Sequence, residues 1–322
     1  MKRILRSIVF SFLLIAALPV QTFAAELLIP VGKVIGLQLQ DDTLTVAAFD
    51  DAYGACARDA GLQIGDQLLK VGSTIVTSAE DVKNALAESG SQVALTVRRS
   101  GKVNTLRLNP HQTGDGPRLG IYLRQGIAGI GTVTFYDPNT GIFGTLGHGV
   151  NDSRGNLLCM KQGAAYDASV LSVRKGKCGE PGQLKGSADT ANTLGPLLKN
   201  TPQGVFGITK IPFKGEALPV AAYEEITTGP ALIRSTIQGD TVQEYSVEIM
   251  KIYPESRSDG RNFLIKVTDS VLLETTGGIV QGMSGSPICQ NGKIVGAVTH
   301  VLVNDPTLGY GIFIENMLDA AG

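Results

Sequence analysis

Apolar and polar residues alternate with a period of two over many short segments of the chain, and turn residues separate these segments. Residues 34–39, 93–98 and 263–267 are such segments, and this alternation is typical of half-buried β-strands. The period of 3.6 residues that marks an amphipathic helix is scarce. The pattern therefore predicts a mainly β protein with many tight turns.

One helix is predicted against this background. Ser78 and Asp81 have the spacing of a capping box, and the predicted helix ends near Gly90. Its apolar positions, at helical spacing, are Val82, Ala85 and Leu86.

Turn residues also predict two hairpins near the end of the chain. Asn291-Gly292 is a strong signal for a two-residue hairpin turn between residues 287–290 and 293–301. Residues 245–253 and 263–267 are predicted to pair around the turn Ser258-Asp259-Gly260.

Residues 1–25 have the composition of a targeting segment. A basic start precedes an apolar run at residues 8–20, and Ala24 and Ala25 offer a cleavage site. The run is shorter than the about 20 apolar residues that a membrane span needs. We expect a signal peptide or an uncleaved signal anchor, and in either case export of the remaining chain from the cytoplasm.

The remaining chain is long enough for two domains. Residues 30–109 predict a small domain of strands around one helix, and residues 118–322 predict a larger β-rich domain. Residues 110–117 between them are rich in proline and glycine and have the composition of a linker.

Composition narrows the range of partners. The chain has 40 glycines, no tryptophan and a formal net charge of −1, so it offers no positive surface for nucleic acid or for an anionic membrane. The four cysteines are not spaced as metal ligands, and we predict neither a metal nor a cofactor. Cys159 and Cys178 could form a disulfide in an oxidising compartment, or the cysteines could be buried free thiols.

The hexapeptide 282–287 carries the candidate nucleophile. It has the Gly-x-Ser-Gly-x-Pro form that chymotrypsin-like proteases use around their catalytic serine. Gly282 permits a tight turn that can aim the N–H groups of Gly282 and Ser284 at the oxyanion of a tetrahedral intermediate. Ser284 is therefore the candidate nucleophile, with Gly282 and Ser284 as the oxyanion hole. The alternative is a turn between two strands with no chemistry.

A serine nucleophile requires a base, and the chain contains three histidines. His111 lies in the predicted linker, and His300 lies in an apolar run that predicts a strand bordering the substrate. His148 follows a β-like stretch and stands between two glycines, which suits a side chain held on a turn facing another domain. We therefore take His148 as the candidate base.

The third member of a serine-protease triad is a carboxylate that fixes the tautomer of the histidine. The chain order His, Asp, Ser favours Asp269, at the end of an alternating strand. Asp152, Asp189 and Asp305 remain alternatives. Asp152, only four residues after the candidate base, could instead brace the glycine turn, and Asp305 precedes a proline and is typical of a turn.

Residues 60–72 resemble bacterial PDZ domains through the pattern Ala-Gly-Leu-x-x-Gly-Asp-x-Leu-x-x-Val-Gly. The resemblance implies that the small domain adds an extended peptide to a sheet edge. Ile35, Gly36 and Leu37 match the turn whose N–H groups would receive the peptide carboxylate. The alternative is a domain that only packs against its neighbour.

Four further segments closely resemble the stage IV sporulation protein B peptidase family: residues 145–152, 276–288, 296–301 and 303–311. The likeness covers nearly the whole chain after the targeting segment. It implies a PDZ domain followed by a chymotrypsin-like double β-barrel, and a catalytic triad of His148, Asp269 and Ser284.

The resemblance also implies a biological role. Members of the family are serine endopeptidases secreted across the forespore membrane into the intermembrane space, where they cleave themselves near the N-terminus. They cut a membrane-bound regulator of an intramembrane metalloprotease and so activate processing of a late mother-cell sigma factor. The implied partners are a membrane-bound protein substrate and the chain's own N-terminal region, with peripheral or transient membrane attachment and no nucleic acid.

Two other functions are compatible with parts of the sequence. A heat-shock-type quality-control protease also joins a trypsin-like domain to PDZ modules, although there the PDZ domain follows the protease. A non-catalytic PDZ scaffold would be expected to lose its base, nucleophile or oxyanion glycine, and His148, Ser284 and Gly282 are all present.

Overall fold

The computed structural model describes residues 26–152, 155–253 and 259–322. The predicted targeting segment, residues 1–25, lies outside these ranges. Within them, no helix is both long enough and apolar enough to span a membrane.

The described chain is mainly β, as the alternation predicts. The strands are β1 (Leu27–Pro30), β2 (Val34–Phe49), β3 (Gln67–Val71), β4 (Thr74–Ile75), β5 (Val93–Arg99), β6 (Lys102–Leu108), β7 (His111–Thr113), β8 (Gly116–Arg118), β9 (Ile121–Tyr136), β10 (Ile142–Thr145), β11 (Gln162–Arg174), β12 (Gln183–Thr201), β13 (Gly204–Ile208), β14 (Leu218–Pro219), β15 (Gly229–Gln238), β16 (Thr241–Ile252), β17 (Phe263–Val267), β18 (Pro287–Gln290), β19 (Lys293–Leu302) and β20 (Asp305–Phe313). The helices are α1 (Ala55–Asp59), α2 (Ala79–Ala87), α3 (Ser270–Thr276) and α4 (Ile314–Ala321), with a 3-10 turn at Tyr223–Glu225.

The first barrel is a closed ring of antiparallel pairs in the order β2, β9, β10, β13, β12, β11 and back to β2. Only the first half of β2 and the second half of β9 belong to it. Alternate residues of these strands point inward, because successive side chains of a strand face opposite sides. Apolar side chains fill the interior, among them Ile35, Leu37, Phe143 and Val205.

The second barrel closes through β15, β16, β17, β20, β19 and β18. Its core includes Phe263 and Phe313, whose rings meet edge to face with centroids 4.7 Å apart. Burying a phenylalanine side chain contributes about 1.5–3 kcal/mol. The two closed barrels are the double β-barrel that the resemblance implies.

A smaller unit is inserted into the first barrel, and we call it the inserted unit (residues 44–119). The chain leaves the barrel along β2 and returns along β9, and the two strands stay paired in both places, with Leu37 opposite Gly129 and Leu44 opposite Gln125. Apolar residues from Leu44 to Leu119 form its own core. The sheet of the unit continues through β3, β5 and β6, with α2 packed against it.

The boundaries of the two units in the structure differ from the residue ranges that the sequence predicts. The predicted small domain starts at residue 30, but residues 34–39 belong to the first barrel. The β7–β8 hairpin spans residues 111–118 and so overlaps the predicted linker, residues 110–117, and Leu119 lies in the core of the inserted unit. The inserted unit still precedes residues 118–322 in the chain, but the first half of strand β2, which comes before it, also belongs to the first barrel.

The predicted peptide-receiving turn at Ile35, Gly36 and Leu37 is wrong, because these residues lie inside strand β2. Gly36 is opposite Tyr166 of β11 on one side and Ile130 of β9 on the other. Both edges of the strand are occupied, so no backbone is left for an incoming peptide.

Local signals predicted local structure correctly. Ser78 accepts a hydrogen bond from Asp81 N at the start of α2, and the Asp81 carboxylate accepts one from Ser78 N, which completes the capping box. Asn291 and Gly292 both have positive φ, +53° and +74°, and join the paired strands β18 and β19. Strands β16 and β17 pair as predicted.

The cysteines form no disulfide in the structure. All four are free, and Cys159 and Cys178 are both exposed.

Candidate active site

A cavity of about 460 Å³ lies where the two barrels meet. The first barrel contributes His148 and neighbours from β2 and β9, and the second barrel contributes Ser284 and residues of β19. The structure thus brings together two of the three predicted triad residues, which the chain separates by most of a domain.

Ser284 lies on a tight loop before β18, and glycines make that loop possible. Gly282 and Gly285 have φ of +99° and +95°, values that residues with a Cβ rarely adopt. Gly285 N donates to Val298 O at 2.7 Å, which ties the loop to β19. Ser286, the neighbouring serine, is fully buried and bonds Ser235 through its hydroxyl at 3.0 Å, so it cannot serve as a nucleophile.

His148 is held by a tight turn that follows β10. Leu146 and Gly147 have φ of +69° and +68°. A Cβ at Gly147 would lie 2.9 Å from the Thr299 side chain, so this turn packs directly on the second barrel. The side chain of His148 is thereby delivered to the face that carries Ser284.

The tautomer of His148 follows from its contact with Gly149. Nδ1 lies 2.9 Å from Gly149 O, and a carbonyl oxygen can only accept a hydrogen bond. Nδ1 therefore carries the proton, and Nε2 of the neutral ring is free to act as a base. Burial lowers the pKa of His148, and the hydrogen bond to Gly149 partly opposes that shift.

The Ser284 hydroxyl donates to Thr299 O at 2.8 Å. No hydrogen bond joins Ser284 to His148 in the described ranges. Proton transfer from Ser284 to His148 would therefore require the serine hydroxyl to rotate away from Thr299.

The predicted oxyanion donors are the backbone N–H groups of Gly282 and Ser284. Among the residues that the structure describes, the N–H groups of Gly282 and Ser284 donate to no protein acceptor. Backbone N–H groups without a partner are uncommon in a folded protein, and here they lie beside the Ser284 hydroxyl.

Asp269 is not brought to His148. Its carboxylate caps helix α3, accepting from Leu272 N at 3.0 Å, and also accepts from Ser246 N at 3.3 Å. It does not line the cavity. The predicted triad is therefore incomplete in this structure. Gly149 O accepts the hydrogen bond from His148 Nδ1 that a triad carboxylate would accept.

The alternative carboxylates brace local turns. Asp152 accepts from Asn156 N, Asp189 accepts from Ala191 N and Asn192 Nδ2, and Asp305 accepts from Thr307 N and Oγ1. The bond of Asp152 lies beyond the glycine turn, at Asn156, so bracing of the glycine turn by Asp152 stays a prediction.

His300 lies beside His148 in the site, whereas the sequence predicted only a strand residue near the substrate. Its ring centroid lies 5.3 Å from that of His148, and its buried Nδ1 has no hydrogen-bond partner. Burial, followed by the positive charges of His148 and Arg261, lowers the pKa of His300 to about 4, against the opposing charge of Asp259. The apolar run around His300 gave no signal for this proximity.

A second groove, of about 380 Å³, lies on the inserted unit between α2 and the start of β9. Leu119, Gly120 and Ile121 line it, and Gly120 has φ of +62°. β9 pairs with β2 on its other side here. Sequence reasoning missed this Leu-Gly-Ile segment, although it has the same form as the Ile-Gly-Leu segment at 35–37.

Within the described chain, no cluster of histidine, cysteine and carboxylate side chains could hold a metal ion.

Two protein-family models match different parts of the chain. The model of the SpoIVB peptidase S55 family matches residues 115–318, and a PDZ domain model matches residues 54–99. No curated protein matches the chain significantly.

Solved structures of the Rv3671c protease are similar to part of the chain. The inactive form is 13% identical and covers 60% of this chain and 84% of its own, with a TM-score of 0.34. The active form from M. tuberculosis is 16% identical and covers 61% of this chain and 75% of its own, with a TM-score of 0.35.

Proposed function

Because the chain belongs to the SpoIVB peptidase S55 family and is a serine peptidase, we propose that Ser284 is its nucleophile and His148 its general base. One observation carries the assignment: the two barrels deliver these side chains to a single cavity. The proton on Nδ1 of His148 leaves Nε2 in the state that a base requires.

The proposed reaction is acyl transfer. The Ser284 hydroxyl leaves Thr299 O, gives its proton to Nε2 of His148 and bonds to the carbonyl carbon of the scissile peptide. The N–H groups of Gly282 and Ser284 stabilise the charge on the carbonyl oxygen, an effect worth about 2.7–4 kcal/mol for each donor in a serine protease. His148 then protonates the leaving amine, and water releases the acyl group by the reverse steps.

Gly149 O supports the protonated histidine in this scheme. When His148 takes the serine proton, the ring becomes a cation, and Nδ1–H continues to donate to the Gly149 carbonyl. The carbonyl dipole fixes the ring orientation and stabilises the cation. It thereby fills part of the role that a triad carboxylate performs elsewhere.

Covalent labelling tests the nucleophile. A serine-directed fluorophosphonate should label the wild-type chain and Ser286→Ala, but not Ser284→Ala. His148→Ala should label poorly, since the hydroxyl then lacks its base. Labelling that persists in Ser284→Ala, or that disappears in Ser286→Ala while that variant stays folded, would contradict the assignment.

The biological role that we propose is developmental signalling by regulated proteolysis. The exported chain would cut a membrane-bound regulatory protein that controls an intramembrane metalloprotease in a spore-forming bacterium, and would also cleave itself near its N-terminus. The family membership and the basic and apolar composition of residues 1–25 support this role.

Mass spectrometry of the chain from fractionated sporulating cells tests the role. The wild-type chain should be found outside the cytoplasm with a shortened N-terminus. Ser284→Ala should be exported equally but keep the residues that self-cleavage removes. Identical N-termini in the two chains would exclude self-cleavage, and a cytoplasmic wild type would exclude export.

We also propose that the groove between α2 and the start of β9 binds extended peptide segments of the substrate or of the chain itself. In the part of the chain that the structure describes, β9 is paired on only one side there, so a peptide can add to its other side. Ala79→Trp would fill the groove from α2, and Ala87→Trp adds the same ring elsewhere on that helix. The first variant should slow cleavage of a protein substrate but not of a short peptide, and the second should slow neither. Equal loss on both substrates would indicate misfolding.

A further inference from the structure

Thr132 makes two contacts with the loop that carries the nucleophile. It lies in β9 and is fully buried. Its Oγ1 donates to Gly282 O at 2.8 Å, and its backbone N donates to Ser284 O at 3.0 Å. These bonds fix the peptide planes on both sides of the Met283–Ser284 peptide, whose N–H belongs to the proposed oxyanion hole.

The same residue also holds the turn that carries the base. Its carbonyl oxygen accepts from Thr145 Oγ1 at 2.6 Å and from Leu146 N at 3.3 Å. Thr145 ends β10, and the turn that follows delivers His148. Thr145 is as fully buried as Thr132, so water does not compete for these bonds.

We propose that Thr132 is a positioning residue that sets the geometry of Ser284 relative to His148. This role rests on the proposed function of Ser284 and His148. Thr132 touches no substrate atom in this scheme and acts through the two loops. Proton transfer requires hydrogen-bond reach between nucleophile and base, and a misplacement of about 1 Å can cost about 100-fold in rate. A single residue bonded to both loops is well placed to prevent such a displacement.

Of the hydrogen bonds that Thr132 makes, mutation can remove the one from its side-chain hydroxyl. Thr132→Val keeps the shape and the backbone bonds but leaves Gly282 O without its partner. Thr132→Ser keeps the hydroxyl. Thr236→Val is a matched control, because Thr236 is equally buried and its hydroxyl donates to a backbone oxygen at 3.1 Å. That oxygen belongs to Gly32, which lies in neither the Ser284 loop nor the turn after β10.

Steady-state cleavage of a short peptide and thermal unfolding should be measured together. We expect Thr132→Val to lower kcat by about 10- to 100-fold with little change in KM. Thr132→Ser should restore most of kcat. Thr236→Val should lower the melting temperature by a similar amount and leave kcat near wild type.

If Thr132→Val does not fold, Thr145→Val removes the side-chain bond from Thr145 Oγ1 to Thr132 O and leaves the bonds to the Ser284 loop in place. It should again lower kcat with little change in KM. Equal kcat in Thr132→Val and Thr236→Val, or no recovery in Thr132→Ser, would overturn the proposal while the wild type remains active. A wild-type chain that neither cleaves nor labels would overturn the proposed function, and this inference with it.

Discussion

Gly285→Ala tests directly how the two barrels pack around the loop that carries Ser284. A Cβ at Gly285 would lie 2.0 Å from Thr132 O and 2.5 Å from Leu146 N. Both are backbone atoms in the contact between the Ser284 loop and the first barrel, so neither can swing aside. The methyl group must therefore push the loop away from β9.

The magnitude follows from two terms. The positive φ of +95° strains any residue with a Cβ, at a cost of about 1–3 kcal/mol. Relief of the contact requires the loop to move by about 1 Å or more, and a displacement of that size can lower the rate about 100-fold. We therefore expect a modest loss of stability and a large loss of kcat.

Gly292→Ala provides the control for strain without collision. Gly292 also has positive φ, +74°, but nothing lies within 4 Å of the point where its Cβ would stand. It should lose about 1–2 kcal/mol of stability and keep its activity. Peptide-cleavage kinetics and thermal unfolding of both variants are the measurements. A kcat for Gly285→Ala within about threefold of Gly292→Ala would refute the argument that this close contact sets the catalytic geometry.

Three further outcomes follow from the site. Burial lowers the pKa of His148. The pH profile of kcat/KM reports groups of the free enzyme, so the midpoint of its acid limb should lie below the usual histidine pKa near 6.5. A midpoint above that value would contradict this. His300 stays neutral in the folded state down to a pKa of about 4, whereas an unfolded histidine takes up its proton near 6.5. The free energy of unfolding should therefore fall as the pH drops through that interval. His300→Gln should weaken the corresponding dependence of the melting temperature on pH. Asp269→Ala should cost about 0.5–2 kcal/mol through loss of the α3 cap with kcat nearly unchanged; a loss near 10⁴-fold at unchanged stability would instead support the triad role that the sequence predicts.

The sequence alone determined the features that depend on short-range geometry. Asn291 and Gly292 form the predicted turn because few other residues tolerate two consecutive positive φ angles. Ser78 and Asp81 form the predicted cap because both partners lie within one helical turn. The segment from Gly282 to Pro287 indicated the loop for the same reason, since its glycines permit the backbone that presents Ser284.

Tertiary structure decided which distant segments became partners. Residues 34–39 were correctly predicted as a strand, but their pattern is equally consistent with either unit, and only pairing with β9 and β11 places them in the first barrel. Asp269 has the right chain order for a triad, yet its carboxylate binds the start of α3. Chain order carries no information about direction in space.

The contact between Thr132 and Gly282 joins residues 150 positions apart. Nothing near either residue in the chain signals the other, because a buried threonine in an alternating strand has the same local pattern whatever its hydroxyl meets. Its partner is selected when the two barrels close and their buried polar groups must find acceptors. The sequence therefore determined the strands, the turns and the candidate reactive side chains, and the packing of the barrels determined which of these residues meet.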